Sequence, residues 1–327
     1  FDNRIKLVEA GDQFQGEYVQ TWPKATVSRY VAGEGRGTPA ERDALLANAD
    51  IVIAGFPFPR DLVQRAPQMR WMHQTPAGAS NLRHGDIWGT DVAVTTSRGH
   101  GETTAIAEFA LTGILHFLKG FDRAEVDRHN ESFDHRAYLA RSAEGKTLCV
   151  IGAGGIGREV ARLGKAFGMR VLGTRRNTTL SEADAPFERV ETPDNLIAQL
   201  AQSDFVAVCC QWTDETTNLI NGETIAAMKE HTILVNVARG EIVDEAALLD
   251  GLDCGKLRGA VLDVYVGEFE SAPPPRLWQH PKVLITPHTS AQADVSRRRS
   301  TDVFLTNLAH YLNEEPLEYR VDWAAGY

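Results

Sequence analysis

Short apolar runs alternate with amphipathic stretches along the second half of the chain. We predict strands for six of these runs: TLCVIG (147–152), RVLG (170–173), FVAVCC (205–210), TILVN (232–236), GAVLDV (259–264) and VLITP (283–287). We predict helices between them for IGREVARLGKAFG (156–168), PDNLIAQLAQ (193–202), NGETIAAMKE (221–230) and VDEAALLDGL (243–252). Apolar strands joined by helices predict right-handed crossovers and a parallel sheet covered on both faces.

The first half of the chain repeats this pattern more weakly. Strands are predicted for IKLV (5–8), DIVIAG (50–55), RWMHQ (70–74) and VAVTT (92–96), and helices for PAERDALLANA (39–49) and PRDLVQRAP (59–67). A long helical pattern (100–120) and a polar stretch (121–146) follow, and we expect the polar stretch to form an exposed arm or an oligomer contact. The last helical pattern covers residues 294–312.

These patterns predict an α/β protein with two α/β units, of which the first is smaller.

Composition narrows the classes of function that remain. The 327 residues carry a net charge of −10, which argues against a nucleic-acid partner. No apolar run approaches the roughly 20 residues of a membrane span, and the start lacks the pattern of a signal peptide, so we expect a cytoplasmic protein without a membrane partner. The four cysteines show no metal-ligand spacing, so we expect core thiols, a reducing compartment and no metal site.

A glycine-rich turn is the first motif that carries chemistry. Gly152, Gly154 and Gly157 form G-x-G-x-x-G directly after a predicted strand and at the start of an amphipathic helix. In that context the first glycine permits the tight turn, the second lets the backbone approach a pyrophosphate, and the third allows close packing of helix on sheet. The free N–H groups of the helix N-terminus would then hold the anion.

The end of the next predicted strand indicates which dinucleotide is held. Residues 171–177 contain no acid that could accept hydrogen bonds from a ribose, and Thr174, Arg175 and Arg176 supply donors and positive charge instead. Two guanidinium groups suit a phosphate ester, so we expect NADP(H) to be preferred while NAD(H) remains possible. The alternative is that the arginines stack on adenine without discriminating.

Three further segments, NVARGEIVDEAAL, DVYVGEFE and ITPHTS, occupy the last hundred residues. Together with GAGGIGREVARLGKAFGM they closely resemble the D-isomer-specific 2-hydroxyacid dehydrogenase family, and the likeness covers nearly the whole chain. The resemblance implies a glyoxylate/hydroxypyruvate reductase-like enzyme that exchanges a hydride between nicotinamide and a small 2-keto or 2-hydroxy acid. It also implies a homodimer.

With the resemblance, the two α/β units are expected to be a Rossmann-type doubly wound parallel sheet and a smaller flavodoxin-like α/β substrate domain. We place the dinucleotide-binding domain at 98–288, inserted into a substrate domain made of 1–97 and 289–327, so that the chain would cross twice between the domains and the cleft could close around a substrate.

The resemblance assigns roles to individual residues. It implies that Arg239 binds the carboxylate and carbonyl oxygens of the substrate, that His288 is the acid/base group, and that Glu268 is its carboxylate partner. Asp263 would face the nicotinamide carboxamide. In the N-terminal domain, PAGASNL matches the loop whose backbone amides, around Ala77 and Gly78, hold the substrate carboxylate. Further cofactor contacts are implied for Gly155, Ile156, Cys210, Val237 and Ala238.

Elementary chemistry supports these roles independently. An arginine can grip a carboxylate and a neighbouring carbonyl oxygen together, which orients the carbonyl carbon for attack. A histidine titrates nearest to neutral pH, so it can donate the proton in reduction and accept it in oxidation. A carboxylate beside the imidazole favours its protonated form.

Several alternatives remain open from sequence alone. An enzyme of the same fold could oxidise formate or phosphite, although formate dehydrogenases carry glutamine where this chain has Glu268. A nucleotide-sensing binding protein without catalytic activity is the rival of another class. Arg98, His100 and Trp212 could line the substrate pocket, but structural packing explains each of them as well.

Overall fold

The computed structural model describes residues 4–98, 102–138, 140–181, 184–294, 296–324 and 326, so His100 lies outside the described residues. The helices are α1 (Gly11–Thr21), α2 (Lys24–Tyr30), α3 (Pro39–Ala47), α4 (Leu62–Arg65), α5 (Thr103–Lys119), α6 (Phe121–His129), α7 (Gly155–Ala166), α8 (Leu196–Leu200), α9 (Gly222–Ala227), α10 (Glu245–Asp253), α11 (Pro275–Trp278) and α12 (Ser296–Leu312). The strands are β1 (Ile51–Ala54), β2 (Trp71–Gln74), β3 (Ala93–Thr96), β4 (Thr147–Ile151), β5 (Arg170–Thr174), β6 (Arg189–Glu191), β7 (Phe205–Val208), β8 (Thr232–Asn236), β9 (Leu257–Leu262) and β10 (Val283–Ile285).

The chain divides into two compact units. The first contains Phe1–Arg98, Glu268–Ala272 and Asp302–Tyr327, and the second contains Gly99–Gly267 and Pro273–Thr301. The division of the domains at 97/98 and 288/289 stays a prediction.

The second unit contains a seven-stranded sheet in the order β10-β9-β8-β7-β4-β5-β6. Every neighbouring pair is parallel, which confirms the predicted doubly wound sheet. The chain runs outward from β4 through β5 to β6, then returns to β7 on the other side of β4 and runs outward to β10. Strand order therefore reverses between β4 and β7, the place where such sheets bind ligands at their carboxyl ends.

Helix α5 covers one face of this sheet at very close range. A Cβ atom added at Gly113 of the helix would lie 2.6 Å from the Val261 side chain, and one added at Gly259 would lie 2.6 Å from the Phe117 ring. Both glycines are therefore needed for the helix to approach β9. In the arm that follows α5, Phe121 is 58% and Phe133 is 106% exposed.

The first unit contains a three-stranded parallel sheet in the order β1-β2-β3. The strand predicted for IKLV (5–8) is wrong, since those residues form no strand and Leu7 is 69% exposed. The buried apolar side chains at this end of the chain are instead Phe14 in α1 and Trp22, the residue after α1. An apolar run becomes a strand only where a neighbouring strand offers a ladder of backbone partners, and a short local pattern does not contain that information.

Candidate cofactor and active site

The glycine-rich turn joins β4 to α7, and each of its three motif glycines has a different environment. Gly152 has a φ of 98°, and a Cβ there would lie 2.6 Å from the backbone of Cys210. A Cβ on Gly157 would lie 2.2 Å from the carbonyl oxygen of Gly152. These two positions exclude side chains because of packing within the protein.

Gly154 shows that the turn fits a pyrophosphate. A Cβ added there would have no atom within 4 Å, so the backbone borders open space. Gly154 is also the N-cap of α7, and no side chain caps that end of the helix. An uncapped helix N-terminus beside open space presents N–H groups and positive potential to an anion. The other two predicted contacts in this turn are Gly155, the first residue of α7, and Ile156, which packs against the apolar core.

The end of β5 lies beside the glycine-rich turn. The backbone N–H groups of Gly152 and Ala153 donate to the carbonyl oxygen of Thr174 at 3.0 and 2.9 Å, which ties the two segments together. The Arg175 side chain pairs with Asp184 at 2.8 Å, while Arg176 is exposed. Thr174, Arg175 and Arg176 therefore lie at the same edge of the sheet, but Thr174 is buried, Arg175 is partly buried and Arg176 is exposed.

This edge also carries an acid that the sequence pattern did not indicate. Glu191 of β6 is in register with Thr174 of β5. Its carboxylate accepts a hydrogen bond from the Gln199 side chain at 2.9 Å and pairs with Arg189 at 3.3 Å. The acid comes from a neighbouring strand, so no search along β5 itself could find it.

Cys210, Val237 and Ala238 follow β7 and β8 at the carboxyl edge of the same sheet. The side chains of Val237 and Ala238 are buried. Burial also raises the pKa of the Cys210 thiol to about 12, so that this sulfur is not a nucleophile at neutral pH. What these residues can offer a cofactor is chiefly the backbone that ends each strand.

Arg239 stands on a turn that a buried asparagine organises. The side chain of Asn236, the last residue of β8, accepts from the Ala238 N–H at 3.0 Å and donates to the Arg239 carbonyl oxygen at 2.8 Å. The next residue, Gly240, is buried against the segment after β9, where a Cβ would lie 2.0 Å from the Tyr265 carbonyl carbon. The turn that presents Arg239 therefore requires both Asn236 and Gly240.

Replacing Gly240 with alanine is expected to destabilise the protein by about 1–3 kcal/mol, because the new methyl group meets backbone atoms that cannot move aside easily. Thermal unfolding measures the effect. Gly222→Ala is the matched control, because nothing lies within 4 Å of the added Cβ there. Equal loss of stability in the two variants would contradict this account.

His288 lies in a left-handed turn after β10, with a φ of 56°. Its backbone N–H donates to the Asp263 carbonyl oxygen at 3.0 Å. The Asp263 carboxylate, 1% exposed, accepts from the Thr286 hydroxyl at 2.7 Å and from the N–H groups of Thr289 and Ser290 at 2.7 and 2.9 Å. Asp263 thus shapes the turn that presents the histidine, a role that the sequence did not indicate. Its predicted contact with the nicotinamide stays a prediction.

The loop predicted to hold the substrate carboxylate follows β2 in the first unit. The Gln74 side chain donates to the carbonyl oxygen of Gly78 at 2.5 Å and exchanges hydrogen bonds with the Asn81 side chain. Ala77 and Gly78 are half-buried. The conformation of this loop is therefore fixed by a buried amide pair.

Glu268 also falls in the first unit, as the first residue of a five-residue segment that packs there. Its side chain is buried, and its carbonyl oxygen accepts from the Arg29 guanidinium at 2.6 Å. Thr26 donates to the carbonyl oxygen of Phe269, whose ring centroid lies 4.7 Å from that of Phe56. Sequence reasoning missed this anchorage by α2, because Thr26 and Arg29 belong to no motif and lie some 240 residues away.

Trp212 and Arg98, the two other described candidates for the substrate pocket, make contacts within their own units. Trp212 packs against the apolar core of the second unit and donates from Nε1 to the Thr217 hydroxyl at 2.9 Å. The Arg98 backbone N–H donates to the Thr96 hydroxyl at 3.3 Å in the first unit. That either of them lines the pocket stays a prediction.

The described part of the chain has neither a cluster of metal ligands nor a membrane-spanning helix. Within it, histidine, cysteine, aspartate and glutamate side chains form no group of three or more that could hold a metal ion. None of its helices combines the length and the apolar character needed to cross a bilayer.

Known proteins resemble the chain over most of its length. A family model described as D-isomer specific 2-hydroxyacid dehydrogenase, NAD binding domain, matches residues 111–290, more than half of the chain. The chain belongs to this family. It is accordingly an NAD(P)-dependent oxidoreductase of the 2-hydroxyacid dehydrogenase type.

Individual members of the family show the same likeness. A glyoxylate reductase from Thermococcus kodakarensis is 31% identical over 275 residues, 78% of this chain and 77% of the relative. The crystal structure of an NADPH-dependent glyoxylate/hydroxypyruvate reductase from Sinorhizobium meliloti, in complex with NADP and sulfate, has a TM-score of 0.77 at 27% identity and covers 89% of this chain and 90% of that one. A D-lactate dehydrogenase from Aquifex aeolicus, complexed with NAD and lactic acid, has a TM-score of 0.69 at 26% identity and covers 84% and 86%.

Proposed function

We propose that this protein reduces a small 2-keto acid of the glyoxylate or hydroxypyruvate type to the D-2-hydroxy acid, and that it prefers NADPH to NADH. The observation that carries the cofactor preference is the end of β5, where Thr174, Arg175 and Arg176 replace an acid beside the glycine-rich turn. A cationic edge attracts the 2′-phosphate of NADPH, whereas the ribose of NADH carries no phosphate and gains no such attraction. The relatives named as glyoxylate and hydroxypyruvate reductases support the substrate class.

The roles of the remaining residues follow from the chemistry of carbonyl reduction. When bound, the nicotinamide supplies the hydride for the carbonyl carbon. Arg239 grips the substrate carboxylate and carbonyl oxygen, and the backbone amides around Ala77 and Gly78 hold the same carboxylate. His288 gives a proton to the carbonyl oxygen as it becomes a hydroxyl, with Glu268 as its carboxylate partner. In the oxidative direction the histidine takes that proton back.

We also propose that the protein forms a homodimer and that it is cytoplasmic. The exposed aromatic residues of the arm, Phe121 and Phe133, support the homodimer.

A panel of glyoxylate, hydroxypyruvate, phenylpyruvate and phosphite, each assayed with both nicotinamide cofactors, tests the proposal. We expect kcat/KM for glyoxylate or hydroxypyruvate to be at least tenfold higher with NADPH than with NADH, which corresponds to about 1.4 kcal/mol. Equal or better use of NADH would overturn the cofactor preference. Turnover of phosphite with NADP+, without activity on any 2-keto acid, would overturn the substrate class.

A further inference from the structure

The loop after β2 is closed at its base by two buried side-chain amides. Gln74 is the last residue of β2, and Asn81 lies in the short 3-10 helix Ser80–His84. We propose that Gln74 and Asn81 are positioning residues for the substrate, which hold the backbone N–H groups around Ala77 and Gly78 in the geometry that binds a carboxylate. This inference rests on the proposed binding of a 2-keto acid by this loop, and it names the side chains on which that binding depends.

The strand that carries Gln74 is held on both sides. β2 is the central strand of the three-stranded sheet, and Gln74 is in register with Ala54 of β1 and Thr96 of β3. The first residue of the loop, Thr75, donates its N–H to the Ala54 carbonyl oxygen at 3.0 Å. The Gln74 side chain therefore starts from a backbone with little freedom, so that it can act as a fixed support for the loop.

The hydrogen bonds of the two amides determine how they are oriented. Gln74 Nε2 donates to the Gly78 carbonyl oxygen at 2.5 Å and to Asn81 Oδ1 at 3.2 Å, while Asn81 Nδ2 donates to Gln74 Oε1 at 3.0 Å. Because the Gly78 carbonyl oxygen can only accept, the nitrogen of Gln74 must face it, and Asn81 then meets the other N–H and the oxygen of the same amide. A buried amide that lost these partners would be costly, so the pair resists rearrangement.

Holding the Gly78 carbonyl oxygen fixes the backbone around it. This carbonyl and the N–H of Ala79 belong to one planar trans peptide and point in opposite directions, so the peptide plane cannot turn while Gln74 holds the oxygen. Among the described residues, the N–H groups of Ala77 and Gly78 have no acceptor, and both residues are half-buried. These N–H groups are thus available to a ligand, and a loop that is already fixed binds it without the cost of being ordered first.

Binding of oxamate, an unreactive analogue of a 2-keto acid, tests these roles by calorimetry at saturating NADPH. Gln74→Leu keeps much of the side-chain volume but releases the Gly78 carbonyl oxygen. It should weaken oxamate binding and raise KM for glyoxylate about tenfold or more, with kcat within about threefold, because the loop holds the carboxylate equally in the ground state and the transition state. Asn81→Leu, which leaves the bond between Gln74 and Gly78 in place, should have a smaller effect in the same direction.

The double variant Gln74→Leu/Asn81→Leu separates positioning from stability. Replacing both partners of a buried pair by apolar groups leaves no unpaired amide, so the melting temperature should recover part of the loss seen in Gln74→Leu. Oxamate affinity should not recover, because the Gly78 carbonyl oxygen still lacks its donor. Asn307→Leu is the matched control: this buried amide of the same unit donates to the Glu318 carbonyl oxygen at 3.0 Å, so its loss should lower the melting temperature and leave oxamate affinity unchanged.

The outcomes distinguish this inference from the proposed function. If the wild type reduces glyoxylate but Gln74→Leu binds oxamate as tightly, the positioning role is wrong and the proposed function stands. Recovery of oxamate affinity together with the melting temperature in the double variant would likewise reduce the pair to a structural role. A wild type that binds oxamate but turns over no 2-keto acid would overturn the proposed function alone, and one that binds no oxamate would overturn both. Should Gln74→Leu fail to fold, Asn81→Leu and the double variant still decide.

Discussion

Replacing His288 with asparagine is expected to lower kcat for reduction of a 2-keto acid about 10²–10⁴-fold, or about 2.7–5.5 kcal/mol of transition-state stabilisation. The carbonyl oxygen would lose its proton donor at the moment when negative charge develops on it. Binding of NADPH should persist, because the glycine-rich turn and the end of β5 are untouched. Steady-state and single-turnover kinetics at saturating NADPH measure the effect.

Asparagine is the appropriate replacement because of the backbone at this position. His288 has a φ of 56°, and asparagine adopts the left-handed region with little strain, whereas alanine would add strain. The turn on Asp263 should therefore stay folded. His231→Asn is the matched control. That exposed histidine also has a positive φ, of 65°, but it does not lie at the carboxyl end of a strand. A kcat for His288→Asn as high as that of His231→Asn would remove the histidine from the mechanism.

Replacing Arg239 with glutamine is expected to lower kcat/KM for the 2-keto acid about 10²–10³-fold, the usual cost of losing one group that stabilises developing charge at the substrate oxygen. Because the same guanidinium is proposed to hold the carboxylate, both kcat and KM should change. The dissociation constant for NADPH should stay within about twofold, since Arg239 is not expected to contact the cofactor phosphates.

Two further variants sharpen this test. Arg239→Lys keeps the charge but not the planar fork, so it should recover only part of the loss. Arg162→Gln, in an exposed pair with Glu159 on α7, is the control for removing an arginine from the same unit. If Arg239→Gln instead lowered the melting temperature and NADPH affinity while sparing KM for the keto acid, the residue would be structural.

Much of the second unit could be predicted because its signals are local. The glycine-rich turn was recognised from three glycines between a strand and a helix, and the six predicted strands appear in one parallel sheet. The short strand β6 was not predicted. Its three residues carry one apolar side chain, Val190, which is too few for a periodic pattern.

The surroundings of the site residues could not be predicted in the same way. Asp184 meets Arg175 across a loop, and Thr26 meets Phe269 across more than 240 residues. No periodicity relates such partners, because their contact depends on how the intervening chain has folded. The strand expected at residues 5–8 is absent for a related reason, since none of the described residues pairs with that run as a neighbouring strand.

The sequence by itself determined the family, the parallel sheet and the residue types that stand at its carboxyl ends, because strand pattern and motif spacing are properties of short segments. Only the tertiary structure decided what each of those residues contacts. It assigned two donors of Arg175 to Asp184, the carboxylate of Asp263 to the His288 turn, and the space beside Gly240 to the Tyr265 backbone. A side chain offers a fixed number of hydrogen bonds and a fixed volume, and how it uses them depends on neighbours that folding brings from elsewhere in the chain.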